Sequence, residues 1–179
     1  MSVAVQGQTA EEQSVEFGIR EITSELTANG SRLFRINGKP ILIRGGGWSQ
    51  DMLLRTDHHR LQEQFRLVRD MGLNTIRLEG KLDTDDFFQQ ADQNGVLVML
   101  GWCCCDMWEH WHTWTPETLT VATASLRSQM LRLRAHPSLL VWLNGSDNAP
   151  PPDVERAYLQ VESEVHWPNP ILAAASAQT

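Results

Sequence analysis

The chain has 179 residues, enough for one domain with a sizeable core. With 41% hydrophobic and 21% charged residues it belongs among folded proteins, and a net charge of −7 argues against a nucleic-acid or anionic-membrane surface, both of which need clustered Lys and Arg. No run approaches the ~20 apolar residues of a membrane span. The only cysteines, Cys103, Cys104 and Cys105, are consecutive and badly placed to bridge one another, which excludes a disulfide scaffold within the monomer.

Residues 1–14 (MSVAVQGQTAEEQS) read as a polar lead-in, without the basic start and apolar run of a signal peptide, and leave the compartment open. Arg32 to Arg44 holds two β-rich runs around Asn37-Gly38, a type I′ hairpin signal, and its second run reads as the first strand of a larger sheet. Asp57 to Met71 places Leu61, Phe65, Val68 and Met71 at helical spacing, with Gly72 as the stop. Thr75 to Leu78 is a strand, and residues 84–94 form a short helix with Phe87, Phe88 and Ala91 inward. Val96 to Leu100 is apolar throughout, as buried parallel strands are. Beyond a long loop, Thr115 caps a helix with Pro116 at its first position; Leu119, Ala122, Leu126, Met130 and Leu133 line one face, and Pro137 ends it. Leu139 to Leu143 is the next strand, Pro151-Pro152-Asp153 opens a helix burying Val154, Tyr158, Val161 and Val165, and Ile171 to Ala175 is a last strand. The βαβαβαβαβ order predicts an α/β fold with a parallel sheet.

Each strand is followed by a polar or aromatic cluster: RGGGWSQD, EGKLD, GWCCCDMWEHWHTW and NGSDNAPPPD. Open sheets and barrels alike carry function at the carboxyl ends of their strands. Gly45-Gly46-Gly47 would be the phosphate loop of a nucleotide-binding sheet, but it lacks the G-x-G-x-x-G spacing, an immediate helix and a Lys-Ser/Thr pair, so a barrel is favoured. Asp147, after LLVWLNGS, sits where a barrel enzyme keeps acid/base chemistry. A full barrel needs about 200 residues or more, so this chain is expected to hold a partial (β/α)8 TIM barrel of about five strands and four helices, with half of an active site and an open sheet edge. Seven Trp against one Tyr suits stacking on sugar faces as well as core packing.

FGIR at 17–20, RINGKPILIRGGGW at 35–48, GLNTIRLEG at 72–80, GVLVMLGW at 95–102 and HPSLLVWLNGSD at 136–147 together resemble the catalytic domain of glycoside hydrolase family 2, in particular its exo-β-D-glucosaminidase branch, which acts on chitosan oligosaccharides. The resemblance runs from about residue 15 to 179 in the right order. It implies a (β/α)8 barrel flanked by β-sandwich domains in a longer chain, no cofactor, and hydrolysis with retention by two carboxylates ~5–5.5 Å apart. Asp147 matches the general acid/base. Most members carry Asn-Glu there, whereas Ser146-Asp147 is like the glucosaminidase branch, where the sugar carries an amine at position 2. The nucleophilic Glu is expected beyond residue 179, so the chain alone should be inactive; a non-catalytic carbohydrate-binding or scaffold fragment is the alternative.

Arg77 lies inside an apolar strand, where an unpaired guanidinium is costly; the family uses an Arg here to position the nucleophile, and a structural ion pair is the plainer reading. Asp51 and Glu79 are expected to bind a sugar amine or hydroxyls, or else to be solvated loop acids. Trp48 and Trp102 are expected as stacking walls, or as rim packing. In the glucosaminidases GWECCD stands where this chain has Gly101 to Asp106, so Cys103 replaces an acid expected to meet the ammonium, which makes mannosides or other β-hexosides alternatives; Asp51, Glu79 and Asp106 are left to supply charge. A metal in the same loop is disfavoured, because contiguous cysteines and the His110-x-His112 pair lack chelate spacing. His58 and His59 read as solvated.

Overall fold

Asn37 and Gly38 take φ of 50° and 76°, the left-handed pair that a type I′ turn requires. This turn joins β4 (Arg32–Ile36) to β5 (Lys39–Ile41), and with β3 (Ile22–Leu26) they form an antiparallel sheet. The computed structural model describes all residues except 1, 6, 7, 13, 15, 16, 105, 106 and 177–179, and only the backbone of residues 2–5 and 8–12. Within the polar lead-in, β1 (Ser2–Val5) pairs antiparallel with β2 (Gln8–Glu12).

The main sheet consists of β6 (Gly45–Gly47), β7 (Thr75–Leu78), β8 (Leu97–Gly101), β9 (Leu139–Gly145) and β10 (Ile171–Ala174), all parallel and adjacent in chain order. Sequential order with one helix per crossover is the connectivity of the first five strands of a barrel. The first parallel strand is the glycine triplet and not the hairpin's second run, which stays in the small sheet. Gly45 lies so close to the Thr75 carbonyl that a Cβ there would overlap it, so the pairing of β6 with β7 needs glycine at a place where β-propensity gives no signal.

The helices form where their caps predict. Asp57 accepts from Arg60 N at 2.9 Å to start α1 (His58–Asp70), and Thr84 caps α2 (Asp85–Asn94), which Gly95 ends at φ 64°. Thr115 and Thr118 make a reciprocal capping box on α3 (Pro116–Leu133), with Pro116 at its first turn. Pro151 caps α4 (Pro152–Glu164) without a side-chain bond. The predicted apolar faces are buried, apart from half-buried Leu61 and Leu119 and from Met71, which is exposed at the α1 C-cap. None of these helices is long and apolar enough to cross a membrane.

Alternation along the strands divides the apolar core in two. Ile76, Leu78, Val98, Leu100 and Trp142 meet the helices, with Phe65, Phe87, Leu126 and Tyr158 among their partners. Leu97, Met99, Val141, Leu143 and Leu172 form the other cluster with Ile22, Phe34, Ile36 and Ile41 of the small sheet. With both faces covered, β9 is buried from Leu139 to Gly145, which explains its continuous apolar sequence. The polar residues that follow it emerge at the sheet's carboxyl edge.

Candidate active site

Arg77, Glu79 and Ser146 meet at that edge. The Arg77 guanidinium donates to the Ser146 hydroxyl at 3.0 Å and to the Glu79 carboxylate at 3.1 Å, and the hydroxyl donates to Glu79 at 3.0 Å. One short side chain at the end of β9 thus ties together two charged groups from β7 and the residue just past it. The guanidinium is neither unpaired nor wholly enclosed, although its Nε is buried with no hydrogen-bond partner among the described residues. Asp147 follows Ser146 and is exposed to solvent. Its backbone N–H, like those of Ser146 and Asn148, points to one oxygen of Glu109, at 3.0, 3.0 and 3.2 Å.

Trp48 and Asp51 come from the loop after β6. With Glu79 and Lys81 they line a cavity of about 410 Å³. The Trp48 ring packs 5.3 Å from Phe87 and 5.9 Å from Phe65, and its indole donates to Asp83 at 3.1 Å, so it is both cavity wall and rim packing. Asp51 has neither a solvated carboxylate nor one free for a sugar. It accepts from Arg55, Arg60 and the Leu53 N–H, and the Arg55 bond, largest of these, holds its carboxyl well below the usual range. Its place at this edge matches the sequence, but its charge is spent on two arginines.

Trp102 lies elsewhere. Its ring is 5.7 Å from Trp142 and 5.9 Å from Trp108, within the aromatic layer beneath the helices, so the rim-packing reading describes it better than a stacking wall. Cys103 is fully buried, close enough to the Tyr158 hydroxyl to help burial push that group's pKa up. The thiol thus lies beside Tyr158 in the helix-side core. Cys105 and Asp106 lie outside the described residues. His58 pairs with Asp86 at 2.8 Å, so it is not simply solvated.

No family model matches the chain. It is 40% identical over 183 residues to an exo-β-D-glucosaminidase of Streptomyces avermitilis, a match covering 98% of this chain and 20% of that protein. A second exo-β-D-glucosaminidase, from Amycolatopsis orientalis, is 38% identical over 99% of this chain and 18% of its own length. The crystal structure of the Amycolatopsis orientalis exo-chitosanase CsxA superposes with a TM-score of 0.92 at 38% identity, over 98% of this chain and 22% of that one. This chain is a partial glycoside hydrolase family 2 domain. It spans about a fifth of the length of the curated relatives it matches.

These likenesses make the five strands and four helices a partial (β/α)8 barrel. A point variant of CsxA has been solved with PNP-β-D-glucosamine, and another CsxA structure concerns its inhibition by a glucosamine-configured castanospermine and an amino-australine analogue. A β-mannosidase of Dictyoglomus thermophilum shares the fold, with a TM-score of 0.77 at 20% identity. Two features of this chain have no sequence signal. Glu109 meets the turn of residues 146–148 across a separation of nearly forty residues and from a loop without periodicity. Glu162, on the buried face of α4, looks from its sequence like one more exposed helix acid, yet it is 2% exposed.

Proposed function

We propose that this chain works within a longer retaining β-glycosidase, in which Asp147 is the general acid/base and terminal β-linked glucosamine, as in chitosan oligomers, is the substrate. The observation that carries this reading is the position of Asp147, directly beyond the fourth parallel strand, beside a Ser146 bound to both Arg77 and Glu79. An acid there protonates the leaving oxygen, and as its conjugate base then draws a proton from the attacking water. The second carboxylate comes from a later strand, where the remaining donor capacity of Arg77 serves to hold it. Ser146 sets the Arg77 and Glu79 positions, and Glu79 is the better partner for a sugar amine or hydroxyl because Asp51 is occupied by Arg55 and Arg60. Trp48 supplies an apolar wall of the cavity.

Glucosaminides are preferred to mannosides because the relatives with 38–40% identity are exo-β-D-glucosaminidases, whereas a lily mannosylglycoprotein endo-β-mannosidase is 30% identical over 79% of the chain. The test is kcat/KM of the complete enzyme on p-nitrophenyl β-glucosaminide, β-glucoside and β-mannoside. A preference of about 10²-fold or more for the amine is expected, as for a site with polar groups matched to a substrate's polar group. Equal or faster cleavage of the mannoside would overturn the assignment.

A further inference from the structure

Glu109 accepts from three consecutive backbone N–H groups, those of Ser146, Asp147 and Asn148, at one carboxylate oxygen. Consecutive N–H groups converging on an anion form a concave site of defined geometry, and bonds to a charged acceptor are stronger than neutral ones. The middle residue of the turn they fix is Asp147. The residues on either side of Glu109 are held in place. Trp108 packs 5.9 Å from Trp102 and 5.8 Å from Trp114, and the Trp114 indole donates to the Met107 carbonyl at 2.9 Å. Thr113 closes the next turn by donating to the His110 carbonyl at 2.8 Å. Residues 107–114 are thereby braced by aromatic rings on the core, and Glu109 reaches across to the end of β9.

On this geometry, and resting on the reading of Asp147 as the general acid, we propose that Glu109 is a positioning residue for glycoside cleavage. It fixes the Ser146–Asn148 backbone so that the Asp147 carboxyl meets the leaving oxygen within hydrogen-bond reach. It touches no reacting atom. Proton transfer depends on heavy-atom distance before it depends on acidity, so a small displacement of this turn costs rate while substrate binding survives.

The test compares Glu109→Ala, Glu109→Gln and Asp147→Ala in the complete enzyme, on a β-glycoside with a poor leaving group and on an activated aryl β-glycoside. Glu109→Ala should lower kcat for the first by about 10²-fold, with KM little changed, and the glycosylation rate on the second by less than about 5-fold. Glu109→Gln keeps an oxygen acceptor and should recover the poor substrate to within about 10-fold of wild type. Should Glu109→Ala fail to fold, Glu109→Asp, which keeps the charge but withdraws the oxygen, takes its place with the same expected split. A merely structural role would slow both substrates alike, and that result, or no loss on either, overturns the proposal. If Asp147→Ala lacks the leaving-group split, the reading of Asp147 fails first; if Asp147→Ala shows it and the Glu109 variants do not, only the inference about Glu109 fails.

Discussion

Asp147→Asn in the complete enzyme is expected to cut turnover of β-glycosides with poor leaving groups by roughly 10²–10⁴-fold, the usual contribution of a positioned acid. An amide cannot protonate a departing alkoxide, yet it preserves the size and most of the contacts of the carboxyl. With an aryl leaving group that departs as a stable phenolate, the first step needs no proton and should remain fast. The second step still lacks its base, so the glycosyl-enzyme should accumulate, giving a burst of phenol followed by slow turnover. Stopped-flow detection of phenol separates the two steps. Equal loss at the glycosylation step on both substrates would give Asp147 some other role.

The second large effect concerns stability and arises in α4. Glu162 is almost completely buried, and neither of its oxygens has a hydrogen-bond partner of good geometry among the described residues. Burial raises its carboxyl to about 7; the nearby Asn144 amide opposes this and Glu155 adds to it. The folded protein therefore binds a proton in a range of pH where the unfolded chain, with a glutamate near 4.5, does not. Its contribution is fully present below about 4.5, is lost as pH rises toward 7, and is constant above that. The size of the change is about 3 kcal/mol. Chemical denaturation at pH 5 and pH 8 should show lower stability at the higher pH, and Glu162→Gln should abolish most of the difference. Asp51, Asp57, Glu117 and Glu164, whose carboxyls are held low, contribute in the opposite sense, but only in acid below this window. Unchanged pH dependence in Glu162→Gln would contradict the assignment.

Glu162 also marks where the sequence stops being informative. The four helices are legible because their signals are local: Thr84 and Thr115 cap, Gly95 stops, and apolar residues recur at helical spacing. Buried strands such as β8 and β9 announce themselves as short apolar runs. By contrast β6 is three glycines, and it is a strand only because β7 offers a partner at close approach. At the site, Asp147, Ser146, Arg77 and Glu79 are legible because a polar residue in or just past an apolar strand has few other places to be. Trp102 is not, since chain direction just beyond a strand follows no period and its ring turns toward Trp142. Asp51 is placed at the right edge, but its pairing with Arg55 and Arg60 depends on the turn and the helix start that bring both guanidinium groups onto it. Glu109 depends on a contact between two loops, which no local pattern encodes.

In the proposed double displacement Asp147 acts first as acid and then as base, and the second role can be isolated. It is tested most directly by adding azide to Asp147→Ala in the complete enzyme, with p-nitrophenyl β-glucosaminide as substrate. The anion attacks a glycosyl-enzyme without help from a base, so turnover should rise with azide concentration and the product should be the β-glucosaminyl azide, with configuration retained. An α-glycosyl azide, or no azide adduct and no rescue, would contradict it.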